Sequence, residues 1–126
     1  GVASAGVMAT DGTLQSGLFQ RAFEEHGIMP VLPDQTGQQT VMDIIYGNVK
    51  AGKPVDLPAF RRVAEGLFNE GAQAVLLACT ELSLVKRDFD LGDGFLDVME
   101  VLARKAVSTC GHLKAQYECL LSFRES

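Results

Sequence analysis

The sequence predicts a three-layer α/β domain with a roughly four-stranded, mostly parallel sheet. Three observations carry that prediction. The segments "SAGVMA" (Ser4–Ala9) and "QAVLLAC" (Gln73–Cys79) are largely apolar without alternation, as strands buried on both faces are. Longer segments, most clearly "DLPAFRRVAEGLFNEGA", repeat apolar residues at helical spacing. The two kinds of segment alternate along the chain, the pattern of strand–helix–strand units with helices packed against a sheet.

Taken in order, the first strand ends at "TDGT" (Thr10–Thr13), which reads as a glycine turn. Leu14, Leu18, Ala22 and Phe23 then recur at helical spacing, and Gly27 is placed to stop that helix. "IMPVLP" reads as a second strand, assigned by Pro30 and Pro33 to a sheet edge or an early end. "QQTVMDIIYGNVKAG" is helical again, with Val41, Ile44, Ile45 and Val49 on one face and Gly52 at its end. In the next helix Asp56 is the expected N-cap and Pro58 sits in the first turn. Leu57, Phe60, Val63, Ala64, Leu67 and Phe68 form its apolar stripe, and Gly71 ends it. After "QAVLLAC", "ELSLVKRDFDLGDG" reads as mostly loop or a short turn of helix. "FLDVMEVLARKAVSTCG" reads as a last helix stopped by Gly111, and "YECLLSF" as a strand or a helix.

A chain of 126 residues fits a single domain, residues 1–126, around one main core, and an apolar share of 47% suits a packed interior. The net charge is −5 and no basic cluster is present, which argues against nucleic acid as a partner. Cys79, Cys110 and Cys119 are too few and too scattered for a disulfide framework, so reduced thiols in a cytoplasm are expected. The opening "GVASAGVMAT" lacks positive charge and is too short to span a bilayer, so no membrane association is expected. No internal repeat is visible.

In sheets of this kind ligands bind beyond the carboxyl ends of the strands. Two segments stand at such ends: "TDGT" after the first strand and "CTEL" (Cys79–Leu82) after the buried one. Cys79 fits two readings. It is either a small side chain closing a core strand, or a thiol facing the backbone N–H groups and dipole of a helix start, which would lower its pKa. Thr80 would then donate to a carboxylate, and Glu81 would meet an amino group or tune the thiol. "TDGT" is either a plain turn or an anion cradle of the N–H groups of Asp11 to Thr13 with the Thr10 and Thr13 hydroxyls. "GNVKAGKP" mimics a phosphate loop, but Pro54 stands where a Ser or Thr is needed and the stretch ends a helix. "DFDLGDG" fails as a calcium loop, because Gly92 and Met99 occupy ligand positions. His26 and His112 are too far apart in sequence to suggest a zinc site, no metal is expected, and Cys110 and Cys119 read as packing residues.

From "AGVMATDGTLQSGLFQRAFEEHGI" through "MDIIYGNVKAGKP" and "VLLACTELSL" to "FLDVMEVLARKAV", the chain resembles the C-terminal part of the aspartate/glutamate racemase family. The resemblance implies one half of a two-domain fold with a cleft between similar α/β halves. Each half offers one acid/base residue, usually cysteine, to opposite faces of the substrate α-carbon, and no cofactor is used. It implies that Cys79 is the C-terminal-half catalytic cysteine. Thr80 and Glu81 would lie near the substrate carboxylate and ammonium. Thr10, Gly12 and Thr13 match a cleft-lining "ATxGT" loop, with Ser16 a weaker match. Lys50 matches a lysine suited to a substrate side-chain carboxylate, although by itself it is also a solvated charge near a helix end. The family's N-terminal half, with its first cysteine, is absent. The expected activity is amino-acid racemisation of an aspartate- or glutamate-like substrate, with this chain inactive alone. It would need the missing half or a second subunit, as in a homodimer. Related cysteine chemistry (maleate isomerisation, malonate decarboxylation, hydantoin racemisation) and a non-catalytic small-molecule-binding domain are the alternatives.

Overall fold

A computed structural model describes residues 2–101. Four strands, β1 (Ser4–Met8), β2 (Met29–Val31), β3 (Ala74–Leu77) and β4 (Phe95–Asp97), form one sheet in the order β2-β1-β3-β4. All three pairings are parallel. The expected α/β architecture is present. The fourth strand, however, is Phe95–Asp97, in a segment that the sequence assigns to a helix. Phe95, Leu96 and Met99 fit a helical face as well as a short buried strand, and three residues are too few for periodicity to decide. Residues from 98 onward are helical up to the limit of the description. "YECLLSF", Cys110, Cys119 and His112 lie outside the described residues.

The helices are α1 (Asp11–Ser16), α2 (Leu18–Glu25), α3 (Gln35–Met42), α4 (Leu57–Asn69) and α5 (Thr80–Asp88). The helix predicted from Leu14 onward starts earlier and is broken. "TDGT" is not a turn but the N-cap and first turn of α1, and Gly17 divides α1 from α2 at φ 72°. That left-handed conformation is natural to glycine and ends a helix. After α3 the helix widens into a π-helical segment, Asp43–Val49, which buries Ile44 and Ile45. The segment read as mostly loop after Cys79 is α5, nine residues long. It buries only Leu82 and Val85, so its apolar signal is narrow and its charged residues dominate the sequence.

α4 forms as predicted. The Asp56 carboxylate accepts from the Ala59 N–H at 3.1 Å, and Ala59, Phe60, Val63, Ala64 and Leu67 are buried. Phe60, Val63, Ala64 and Leu67 join Val41, Ile44, Ile45, Leu82 and Val85 against Met8, Val75 and Leu77 in one core cluster. Right-handed crossovers from β1 to β2 and from β2 to β3 run in opposite directions across the sheet, so their helices cover opposite faces. α3, the π segment, α4 and α5 share the well-filled face. α1 and α2, on the other, bury no residue fully. Among the described residues no helix is long and apolar enough to cross a membrane.

Candidate functional site

The strand order reverses between β1 and β3. At such a switch point the adjoining crossovers leave on opposite faces, opening a crevice at the carboxyl ends of the two strands. Met8 pairs with Leu77, so Thr10 and Cys79 each stand two residues beyond a paired position, at the carboxyl ends of the two strands. The Ala78 N–H donates to the Met8 carbonyl at 2.9 Å and ties the two ends together.

Cys79 is the N-cap residue of α5, with extended backbone at φ −155° and ψ 158°, and is half-buried. Burial pushes its thiol above the ordinary range. The Glu81 carboxylate adds to the rise, while the N–H groups of Leu82 and Glu81 oppose it. The lowered pKa expected of a thiol at a helix start is therefore not what this environment produces. Loss of solvation and one nearby negative charge outweigh the helix N–H groups.

Glu81 and Lys50 meet. Their charged atoms are 3.5 Å apart, although 31 positions separate them in sequence. Lys50 caps the carboxyl end of the widened π segment, which delivers it to α5, and such widened turns recur at functional sites. Lys50 also sits 4.8 Å from the centre of the Tyr46 ring, one helical step back. Burial works to raise the Glu81 carboxyl. Its own backbone N–H, the Thr80 hydroxyl at 3.0 Å and the Lys50 ammonium together outweigh that and hold it below the usual carboxylate range.

The "TDGT" residues occupy the same edge but are partly committed to their own helix. Thr10 Oγ1 accepts from the Thr13 N–H at 3.3 Å and is 3.1 Å from the Thr13 hydroxyl. The cradle expected from three N–H groups is therefore reduced to those of Asp11 and Gly12. A side chain at Gly12 would meet nothing within 4 Å, so the space above it is open. Ser16 is exposed, and its hydroxyl donates to the Thr13 carbonyl at 2.6 Å, at the far end of α1.

The model of the Asp/Glu/Hydantoin racemase family matches residues 2–106. The chain belongs to this family. Among solved structures it is similar to the aspartate racemase of Picrophilus torridus, at 27% identity and a TM-score of 0.65 over 94% of this chain and 50% of that one. It is also similar to a Yersinia pestis protein classed as a candidate Asp/Glu racemase. There the identity is 32% and the TM-score 0.59, over 66% of this chain and 37% of that one. The chain thus spans half or less of the length of these racemase structures. All eight residues singled out from the sequence lie inside the span that the family model matches.

Three residues near the site escaped the sequence reading. Tyr46 had a signal, its spacing of four from Lys50. Ser83 and Asp97 had none of comparable strength. Their hydroxyl–carboxylate contact of 2.6 Å joins residues 14 apart, and depends on β4 pairing with β3.

Proposed function

We propose that this chain is one half of a cofactor-independent amino-acid racemase, and that Cys79 is its acid/base group on one face of the substrate α-carbon. The observation that carries this reading is the position of Cys79. A half-buried thiol stands at the switch point of the sheet, beside a carboxylate and an ammonium that meet only through the fold. In racemisation a thiolate takes the α-proton, so a C–H bond breaks and an S–H bond forms. The electron pair stays on the planar α-carbon. A thiol on the opposite face then gives its proton to that carbon. The two groups must rest in opposite protonation states. A thiol held above its ordinary range favours Cys79 as the protonated, donating member at rest.

The Lys50–Glu81 pair supports an acidic amino acid as substrate. The substrate ammonium would take Glu81, and its side-chain carboxylate would take Lys50. Both internal partners are then replaced, and no desolvated charge is left alone. Thr80 and the open space above Gly12, with Thr10 and Thr13 behind it, would face the α-carboxylate. A substrate lacking an amino group, as in the maleate and malonate chemistries, would leave Glu81 without a cation.

The missing face comes from an N-terminal half or from a second copy. In a homodimer, Cys79 sulfurs more than about 8 Å apart would be too far to flank one carbon. The deciding measurement is α-proton exchange of aspartate and glutamate in D₂O. The chain alone is expected to give none. A two-halved protein containing it is expected to exchange and racemise, and to lose both on Cys79→Ala. Rapid racemisation by the chain alone would overturn the half-site reading.

A further inference from the structure

We infer that Ser83 and Asp97 form a brace that holds the Cys79 loop, and that they are positioning residues for its thiol. The inference rests on the acid/base reading of Cys79. Asp97 is 3% exposed and is the buried charged residue among those described. It ends β4, and its pairing with Leu77 sets it level with the last residue of β3, two positions before Cys79. A carboxyl group there has almost no water and must find donors within the protein. Two reach the same oxygen, Oδ1: the Ser83 hydroxyl at 2.6 Å and the Met99 N–H at 2.9 Å.

The Ser83 hydroxyl oxygen also lies 3.2 Å from the Cys79 carbonyl oxygen, which accepts the Ser83 backbone N–H at 3.1 Å. The Cys79 carbonyl, Ser83 and Asp97 therefore make one connected unit that joins the first turn of α5 to the end of β4. An apolar residue would fill a buried strand end at less desolvation cost than a carboxylate. What the carboxylate adds is direction. It fixes the first turn of α5, and with it the extended backbone that sets how deeply the thiol sits.

The test follows alkylation of Cys79 by iodoacetamide in the full chain, from neutral to alkaline pH. Trypsin releases Val63–Lys86, in which Cys79 is the single cysteine, so mass spectrometry reads it alone. Glu81 is the charged group acting on the thiol, with Lys50 behind it, and neither is altered in the variants used. Ser83→Ala and Asp97→Ala are expected to loosen the loop and admit water to the sulfur. The profile then moves to lower pH, and the neutral rate rises about threefold or more. Ser83→Thr keeps the hydroxyl and Asp97→Asn keeps the accepting Oδ1, so both are expected to follow the unaltered chain. An unmoved profile in the alanine variants overturns the brace, as does a conservative pair that moves as far as they do. Should Asp97→Ala fail to fold, Ser83→Ala against Ser83→Thr carries the comparison at a half-buried position. Because the readout is thiol reactivity, the brace fails on this profile alone. The acid/base reading fails separately, if Cys79→Ala in the two-halved protein leaves exchange intact.

Discussion

Burial and the Glu81 carboxylate act on the Cys79 proton in one direction, and two peptide N–H groups act in the other. Glu81→Gln removes the charge and keeps the shape, so it should lower the thiol pKa and speed alkylation at neutral pH by about two- to fivefold. A rate equal to or below that of the unaltered chain would contradict the assignment. The same shift has a stability sign. The folded thiol titrates above the unfolded one, so its contribution is full below the ordinary thiol range and is lost as pH rises through the folded value. Unfolding temperature should therefore fall more steeply with alkaline pH in the unaltered chain than in Cys79→Ala. For Glu81 the sign reverses. Its carboxyl is held low, so its contribution is present above the usual carboxylate range and lost as pH falls through the folded value. With Lys50 46% exposed, that contribution is small and weakens with salt. At this scale the sequence made Cys79, Thr80 and Glu81 legible because they are contiguous and close a strand. The direction of the thiol shift was not legible, since burial depth is a property of the packed structure.

Elements were legible where one local signal dominates. α4 has a capping aspartate, a first-turn proline and a broad apolar stripe, and β3 is an apolar run too short for a helix. α5 was obscured because two buried residues in nine give little periodicity, and β4 because three residues give none. The fit of α4 against the sheet is close at one point. A methyl group built on Gly6 of β1 would lie 3.1 Å from Leu67 Cδ1 and 3.4 Å from Val75 Cγ2. Leu67 is 2% exposed and has little room to yield. Gly6→Ala should therefore destabilise by about 1 kcal/mol net, the crowding exceeding the smaller gain from a stiffer unfolded chain. Urea titration measures it, and an unchanged or higher midpoint would contradict the packing described.

Among the described residues the two faces of the sheet are unequal. α3, the π segment, α4 and α5 all contribute buried residues, whereas α1 and α2 contribute none. Elements with few buried apolar contacts open at lower free energy than the core. Native-state hydrogen exchange should show α1 and α2 of the isolated chain less protected than α4 and β3 by about two orders of magnitude or more. Equal protection would mean that the thin face is as firmly held as the thick one.

The outer strand on one side of the sheet, Met29–Val31, is three residues long, and its central residue is Pro30. Proline has no N–H to offer a further strand, and so short an edge is a poor template for chain-to-chain pairing. Growth of the sheet into fibrils from that side is disfavoured by one ring and a lack of length.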